Sequence, residues 1–220
     1  MLGHHKDTTM PTPHEALPGR QTKMPVPARH YVLDTPLVAP FPAGCEVAYL
    51  GLGCFWGAEK CFWKMPGVYT SAVGYAGGLT PNPTYQEVCS GLTGHNEVVM
   101  VVFDTAKIDY GQVLKMFWES HNPTQGMRQG NDVGTQYRSA VFWHTPEQRA
   151  EAEALIAELT AAKQFDAPIV TEVTEVVTIY PAENYHQGYF DQNPNQPYCQ
   201  FVVAPKVVKA RTKYASRLKD

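Results

Sequence analysis

The sequence EVAYLGLGCFWGAEKCFWKMPG, residues 46–67, joins a predicted strand to a predicted helix through a glycine and a cysteine. Residues 46–51 are a short apolar run bounded by glycine, which is typical of a buried strand. Residues 54–65 are compatible with a helix, and the Pro-Gly pair that follows ends it. The pattern predicts a strand that leads directly into a helix, with Cys54 at the junction.

The sequence beyond this stretch repeats the alternation of strands and helices. A helix is predicted at 109–120, where Asp109 and Gln112 form a capping pair. Another begins at Thr145-Pro146 and runs to about residue 164. Further strands are predicted at 68–75, 97–103, 138–143 and 171–179. Together these elements predict an α/β fold (an α+β sandwich), ferredoxin-like, with a mixed β-sheet core and flanking helices.

Other stretches lack such patterns. Residues 1–44 contain eight prolines and are interpreted as an extended N-terminal arm that packs on the domain. Residues 82–85 are predicted to be a loop, and so are residues 121–136, a length that is more often functional than idle. Beyond residue 181 we expect a long irregular segment. The predicted organisation is an arm at 1–44, a domain at 45–203 that includes this segment, and a basic C-terminal extension at 204–220.

Composition and charge exclude several classes of protein. A chain of 220 residues with 44% hydrophobic and 18% charged residues can bury one core and is typical of a globular protein. A formal net charge of −3 argues against nucleic acid or an anionic membrane as a partner. No apolar run approaches the roughly 18 residues that span a bilayer, and the first residues lack the apolar segment of a secretory signal. We expect a cytoplasmic monomer.

The five cysteines do not indicate a disulfide framework, because their number is odd and their density low. No Cys-x-x-Cys pair or zinc-type spacing is present, so no metal site is expected. Cys45, Cys61 and Cys89 are predicted to be buried packing residues. Cys61 lies two helical turns beyond Cys54, which is too far for an unstrained disulfide.

Cys54 is the strongest candidate for chemistry. At the start of a helix, unpaired N–H groups and the helix dipole stabilise a thiolate, and Gly53 lets the backbone turn sharply. Phe55 and Trp56 follow directly and are suited to receiving a small apolar group such as an S-methyl. On these local features alone, a buried cysteine at the end of a strand is an equally good interpretation.

Five motifs resemble those of the A-type peptide methionine sulfoxide reductases, in family order and at family-like spacing. They are GCFWG at 53–57, GYAGG at 74–78, NPTY at 82–85, GHNE at 94–97 and GNDVGTQYRS at 130–139. The resemblance covers roughly residues 15–203 and makes 45–203 the predicted catalytic domain. It implies an enzyme without a cofactor that reduces methionine S-sulfoxide, free and in proteins, as antioxidant repair.

The resemblance also implies a mechanism. Cys54 would attack the sulfoxide sulfur, and Glu97 would donate a proton to the oxygen, because bare oxide cannot leave. The pKa of Glu97 must then lie above its usual value of about 4.3, a change that burial beside aromatic rings can supply. Tyr85 and Tyr137 match tyrosines that hydrogen-bond the sulfoxide oxygen. Without the resemblance, Glu97 would be interpreted as a surface charge and both tyrosines as ordinary half-buried side chains.

The same resemblance assigns the remaining site residues. Phe55, Trp56, Asp132 and His186 match substrate-binding positions, although Asp132 could equally be a turn aspartate. Cys199 matches the resolving cysteine, which would convert a sulfenic acid on Cys54 to a disulfide for thioredoxin or a similar dithiol protein to reduce. Some relatives carry a second tail cysteine, but residues 200–220 contain none, so direct reduction of the Cys54–Cys199 disulfide is expected.

Two other kinds of function are compatible with the sequence around Cys54. A thiol peroxidase or a Cys–His hydrolase would also use Cys54, the hydrolase with His95 or His186 as its base. A noncatalytic module would bind methionine-containing peptides through Phe55 and Trp56. Formation of methionine from its S-sulfoxide in the presence of dithiothreitol distinguishes the reductase from all of these.

Overall fold

The structure is a computed structural model that describes residues 8–197. Its strands are β1 Cys45–Leu52, β2 Val68–Ala76, β3 Asn96–Asp104, β4 Arg128–Gln129, β5 Asp132–Val133, β6 Ser139–Trp143, β7 Glu172–Glu175 and β8 Ile179–Pro181. Its helices are α1 Phe55–Trp63, α2 Tyr85–Cys89, α3 Tyr110–Ser120, α4 Pro146–Ala161 and α5 Tyr189–Gln192, and short 3-10 turns occupy Thr135–Tyr137 and Asn184–His186.

Six strands form one mixed sheet in the order β7-β6-β1-β3-β2-β8, in which only β6 and β7 are parallel. The inner order β6-β1-β3-β2, with α1 after β1 and α3 after β3, is the β-α-β-β-α-β arrangement of ferredoxin-like folds. The predicted mixed sheet with flanking helices is confirmed.

The main core lies between the sheet and helices α1 and α3. Side chains alternate along a strand, so Val99, Val101 and Phe103 of β3 face the helices, where they pack with Phe62 and Phe117. Val98, which precedes them by one position, lies on the opposite side in a smaller cluster with Ala76, Ala140 and Phe142. An odd-numbered residue of β3 is therefore directed toward α1 and α3, which fixes the side on which Glu97 lies.

The prediction of a single strand at 171–179 is wrong, because β7 and β8 lie on opposite edges of the sheet. Four residue steps from Glu175 to Ile179 reach at most about 14 Å, whereas five strand spacings of a flat sheet span about 24 Å. The sheet must curl to bring its edges together. The curl sets the Phe142 ring against Gly77, where an added Cβ would lie 2.6 Å from the ring.

Two other predicted stretches are more regular than expected. The predicted loop at 121–136 contains the β4–β5 hairpin and enters a 3-10 turn. Thr84, at the end of the predicted loop at 82–85, caps α2 through a complete capping box with Glu87. The helix from Thr145 ends at Ala161, three residues before the predicted end.

Residues 8–44 contain no helix or strand beyond an isolated bridge between Arg29 and Pro36. The segment lies on the domain through specific contacts. Arg20 pairs with Glu87 of α2 at 2.7 Å, and the buried His30 ring lies 3.0 Å from the Ser71 hydroxyl of β2. No helix among residues 8–197 is long and apolar enough to cross a bilayer.

Candidate active site

Cys54 occupies the N-cap position of α1, two residues after the end of β1, and is partly exposed. The turn between strand and helix depends on Gly53, whose φ of +87° is unfavourable for residues with a Cβ. A Cβ at this position would also lie 2.6 Å from Cβ of Gln129 in the β4–β5 hairpin. The predicted strand–glycine–cysteine–helix junction is present, and the hairpin closes over one side of it.

Glu97 lies beside Cys54 at the same helix end. Its side chain is 1% exposed, and its Oε2 accepts a hydrogen bond of 3.0 Å from the backbone N–H of Phe55, the first residue of α1. This N–H has no partner within the helix, because the first turn leaves its donors unsatisfied. The free N-terminus of α1 thus holds a thiol and a buried carboxyl group together.

Tyr85 and Tyr137 come from two other elements, the start of α2 and the 3-10 turn before β6. Burial is the main cause that raises the pKa of each phenol, and Glu97 raises it further when it is ionised. Cys54 also acts electrostatically on both phenols. Both side chains are therefore protonated at neutral pH and able to donate hydrogen bonds beside the thiol and the carboxyl group.

Aromatic rings form the other wall. The fully buried Phe55 ring lies 5.8 Å from Tyr75 and 5.2 Å from His186, between ring centroids. The half-buried Trp56 stacks on Tyr189 of α5, with centroids 3.8 Å apart and planes inclined by 12°. The wall combines α1 with the segment after β8 and offers an apolar surface next to Cys54.

His186 lies behind this wall, and its side chain is fully buried. Its Nδ1 accepts a hydrogen bond of 2.8 Å from the Trp56 indole N–H. Burial lowers the pKa of His186 to about 4, although the Glu183 carboxylate acts to raise it. The ring is therefore neutral at pH 7 and contacts Trp56, whereas the sequence interpretation assigned it to substrate.

Asp132 and Cys199 complete the predicted set. Asp132 begins β5 and pairs across the hairpin with Gln129, the residue that touches Gly53. It therefore lies in the hairpin that approaches the Gly53-Cys54 turn. Cys199 lies outside the described residues. Among the described residues, no cluster of His, Cys, Asp and Glu is arranged to hold a metal ion.

Comparison with known proteins identifies the family. The family profile described as "Peptide methionine sulfoxide reductase" matches residues 46–218. The chain belongs to the peptide methionine sulfoxide reductase family. A reductase MsrA of Rippkaea orientalis is 58% identical over 201 residues, covering 90% of this chain and 92% of the relative. The MsrA of Azotobacter vinelandii is 60% identical over 195 residues, covering 88% and 90%.

Two solved structures of proteins similar to this chain agree with the family assignment. Methionine sulfoxide reductase A of Corynebacterium diphtheriae has 40% identity and a TM-score of 0.75, covering 86% of this chain and 92% of that one. Reduced Mxr1 of Saccharomyces cerevisiae has 32% identity and a TM-score of 0.69, covering 76% and 96%. The predicted enzyme class, a methionine sulfoxide reductase, is confirmed, while the roles assigned to individual residues stay predictions.

Some residues of this reductase site were not predicted from sequence. Glu183 contacts Tyr85 and Tyr75 but belongs to a stretch that was interpreted as irregular. Cys89 is predicted to be a packing residue, yet it is half-buried and, after burial and Glu97, helps to raise the pKa of the Tyr85 phenol. The spacing of four residues between Tyr85 and Cys89 would have placed them on one helix face, had α2 been recognised.

Proposed function

We propose that this chain reduces methionine S-sulfoxide, free and in proteins, through attack of the Cys54 thiolate on sulfur with Glu97 as the proton donor. The observation that carries the proposal is the hydrogen bond from the Phe55 N–H to Glu97 Oε2. It supports a nucleophile and an acid that act together on one ligand, as sulfoxide reduction requires.

The surroundings of Cys54 and Glu97 support a thiolate at the first and a neutral carboxyl group at the second. The N-terminus of α1 provides N–H groups and a positive dipole end, which favour the anionic form of Cys54. Glu97 is removed from water, and this disfavours a charged carboxylate. Before substrate binds, thiol and carboxyl group share one proton and titrate as a pair. Movement of that proton to Glu97 would prepare both groups for reaction.

The proposed chemical step transfers the oxygen of the sulfoxide to the Cys54 sulfur. The Cys54 sulfur forms a bond to the sulfoxide sulfur while Glu97 protonates the oxygen, and Tyr85 and Tyr137 donate hydrogen bonds to that oxygen. The hydroxyl group then moves to the Cys54 sulfur, as the S–O bond of the substrate and the newly formed S–S bond both break. Methionine leaves reduced by two electrons, and Cys54 becomes a sulfenic acid. Phe55 and Trp56 would receive the S-methyl group, and Asp132 would orient the substrate backbone.

Regeneration would use Cys199, whose thiol attacks the sulfenic acid and releases water to form the Cys54–Cys199 disulfide. The eight residue steps from Asp191 to Cys199 reach at most about 29 Å. Asp191 is paired with Lys60 of α1, only six residues beyond Cys54 and about 9 Å along the helix. The disulfide is therefore within reach. Thioredoxin or a similar dithiol protein would reduce it, and the cytoplasm is the proposed location.

The hydrolase alternative is disfavoured by the histidines. The ring nitrogens of His95 contact the Gly78 N–H and the Thr80 carbonyl. Nδ1 of His186 accepts the Trp56 N–H. A general base for a thiol needs a ring nitrogen within hydrogen-bond reach of sulfur. The groups beside Cys54 are instead a carboxyl group and two phenols.

A single-turnover assay tests the proposal. Wild type, Cys54→Ser, Glu97→Gln and Cys199→Ser are mixed with each sulfoxide epimer, and methionine is counted per enzyme. We expect no methionine from Cys54→Ser and a rate reduced by about 10²–10⁴ for Glu97→Gln at pH 7–8. Cys199→Ser should give one methionine per enzyme but no cycling with thioredoxin.

Cys45→Ser, at the far end of β1, is the control. Turnover near wild type in Cys54→Ser would refute the mechanism, and cycling in Cys199→Ser would refute the resolving role.

A further inference from the structure

Glu183 connects the parts of the site that come from different elements. It occupies the N-cap position of the 3-10 turn after β8, and its side chain is half-buried. Oε1 accepts the backbone N–H of Tyr85 at 2.7 Å, and Oε2 accepts the phenol of Tyr75 at 2.9 Å. One carboxylate therefore holds the start of α2 and the end of β2 against the segment that follows β8.

The same carboxylate faces His186. Because Nδ1 of His186 accepts the indole N–H of Trp56, the neutral ring must carry its own proton on Nε2. That Nε2 has no hydrogen-bond partner in the structure and lies 3.8 Å from Oε2 of Glu183. A small approach would complete a chain of hydrogen bonds from the Trp56 indole through His186 to Glu183.

We propose that Glu183 is a positioning residue that sets the width of the S-methyl pocket. It acts on one wall by fixing the backbone of Tyr85, and on the other by orienting His186 and, through it, the Trp56 indole. The ring centroids of Trp56 and Tyr85 are 6.3 Å apart. The carboxylate lies 2.7 Å from the Tyr85 backbone nitrogen and 3.8 Å from the His186 ring that contacts Trp56. This proposal rests on the proposed function, in which these two side chains contact substrate.

The pocket width can be measured by substrate choice. A rigid apolar pocket discriminates one extra methylene by about 10- to 200-fold in kcat/KM. Ethionine sulfoxide differs from methionine sulfoxide by one methylene on the alkyl group that Trp56 would receive, beside the Tyr85 side chain that would bind the oxygen. A Glu183→Ala variant should lower kcat/KM for methionine sulfoxide at least tenfold and reduce the preference for methyl over ethyl to a few-fold. Glu183→Gln keeps an acceptor for the Tyr85 N–H, so its kcat/KM and its preference for methyl should lie between those of wild type and Glu183→Ala.

Glu87→Ala is the matched control, because Glu87 also accepts a backbone N–H at the start of α2, from Thr84 at 2.8 Å. Glu87 pairs with Arg20, and we assign it no part in the pocket. If Glu183 had a merely structural role, its replacement would lower kcat/KM for methionine sulfoxide and for ethionine sulfoxide by the same factor. That outcome is the one expected for Glu87→Ala. A wild-type methyl preference in both Glu183 variants would overturn the proposal.

A second readout does not depend on turnover. The indole N–H resonance of Trp56, assigned with Trp56→Phe, should move in Glu183→Gln and His186→Ala but not in Glu87→Ala. An unmoved resonance in Glu183→Gln would also overturn the proposal. If Cys54→Ser retained activity, the proposed mechanism would fail. The substrate preference and the indole resonance would still decide the role of Glu183.

Discussion

Gly53 shows how one residue can control the site through its backbone. Replacement by alanine forces a side chain into a positive φ and against Gln129. We expect Gly53→Ala to lose about 2–4 kcal/mol of unfolding free energy. We also expect kcat/KM to fall more than tenfold, because displaced reacting groups are costly for rate. Urea unfolding and steady-state kinetics measure the two effects.

Gly126→Ala separates strain from steric conflict. Gly126 has a similar positive φ of +68°, but an added Cβ would meet nothing within 4 Å. This variant should lose only about 1 kcal/mol and keep its activity. Equal losses in the two variants would show that contact with the hairpin at Gln129 has no part in placing Cys54.

His186 gives the folded protein a stability that depends on pH. Burial lowers its pKa to about 4 from the ordinary 6.5, despite the opposing charge of Glu183. The unfolded chain takes up a proton between these values that the native protein does not. The contribution is therefore complete above pH 6.5 and is lost as the pH falls toward 4, by at most about 3 kcal/mol.

Replacement of His186 by glutamine removes this titration. Urea unfolding at pH 7 and at pH 4.5 should show a smaller loss of stability for His186→Gln than for wild type. The exposed His14 provides the control, since His14→Gln should follow wild type. An unchanged difference between the two pH values in His186→Gln would contradict the assignment.

At the scale of elements, the sequence predicts the features whose hydrogen bonds join residues close together in the chain. The capping box of Asp109 and Gln112 is present as predicted, because both hydrogen bonds are made within one turn. The boundary between β7 and β8 was missed because residues 171–179 have uniform strand character, and the break depends on curling of the whole sheet. Glu183 was missed for a related reason, since its partner Tyr85 lies 98 residues away.

The caps of α2 and α3 allow stability to be separated from catalysis. Both helices begin with complete capping boxes, at Thr84 and at Asp109, but only α2 carries a proposed catalytic side chain, Tyr85. Thr84→Ala and Asp109→Ala should each cost about 0.5–2 kcal/mol in thermal or urea unfolding. Only Thr84→Ala should also lower kcat, by several-fold. A similar fall in kcat for Asp109→Ala would mean that general loosening, and not the position of Tyr85, limits the rate.

At the scale of the molecule, α1 anchors the segment that leads toward Cys199. The buried Glu59 carboxylate accepts the Gly188 N–H at 2.9 Å, and Trp56 stacks on Tyr189. The Lys60 ammonium pairs with Asp191 and lies 4.0 Å from the centroid of the Phe190 ring. Three residues of one helix thus hold residues 188–191 of the segment, so the helix that begins next to the proposed nucleophile also sets the starting point of the segment that leads to the proposed resolving cysteine.

This arrangement predicts that Lys60 affects the second half-reaction and not the first. Lys60→Ala removes the ion pair and the ring contact, so a longer free segment should lower the effective concentration of Cys199 at Cys54. Rapid-quench measurements should show that the first methionine forms at an unchanged rate, while the disulfide forms about three- to tenfold more slowly. Lys64→Ala, at the C-cap of the same helix one turn later, should match wild type in both steps. A disulfide rate that is unchanged in Lys60→Ala would show that the anchor on α1 does not guide the tail, whereas a slower first methionine would instead place Lys60 in the reaction with substrate.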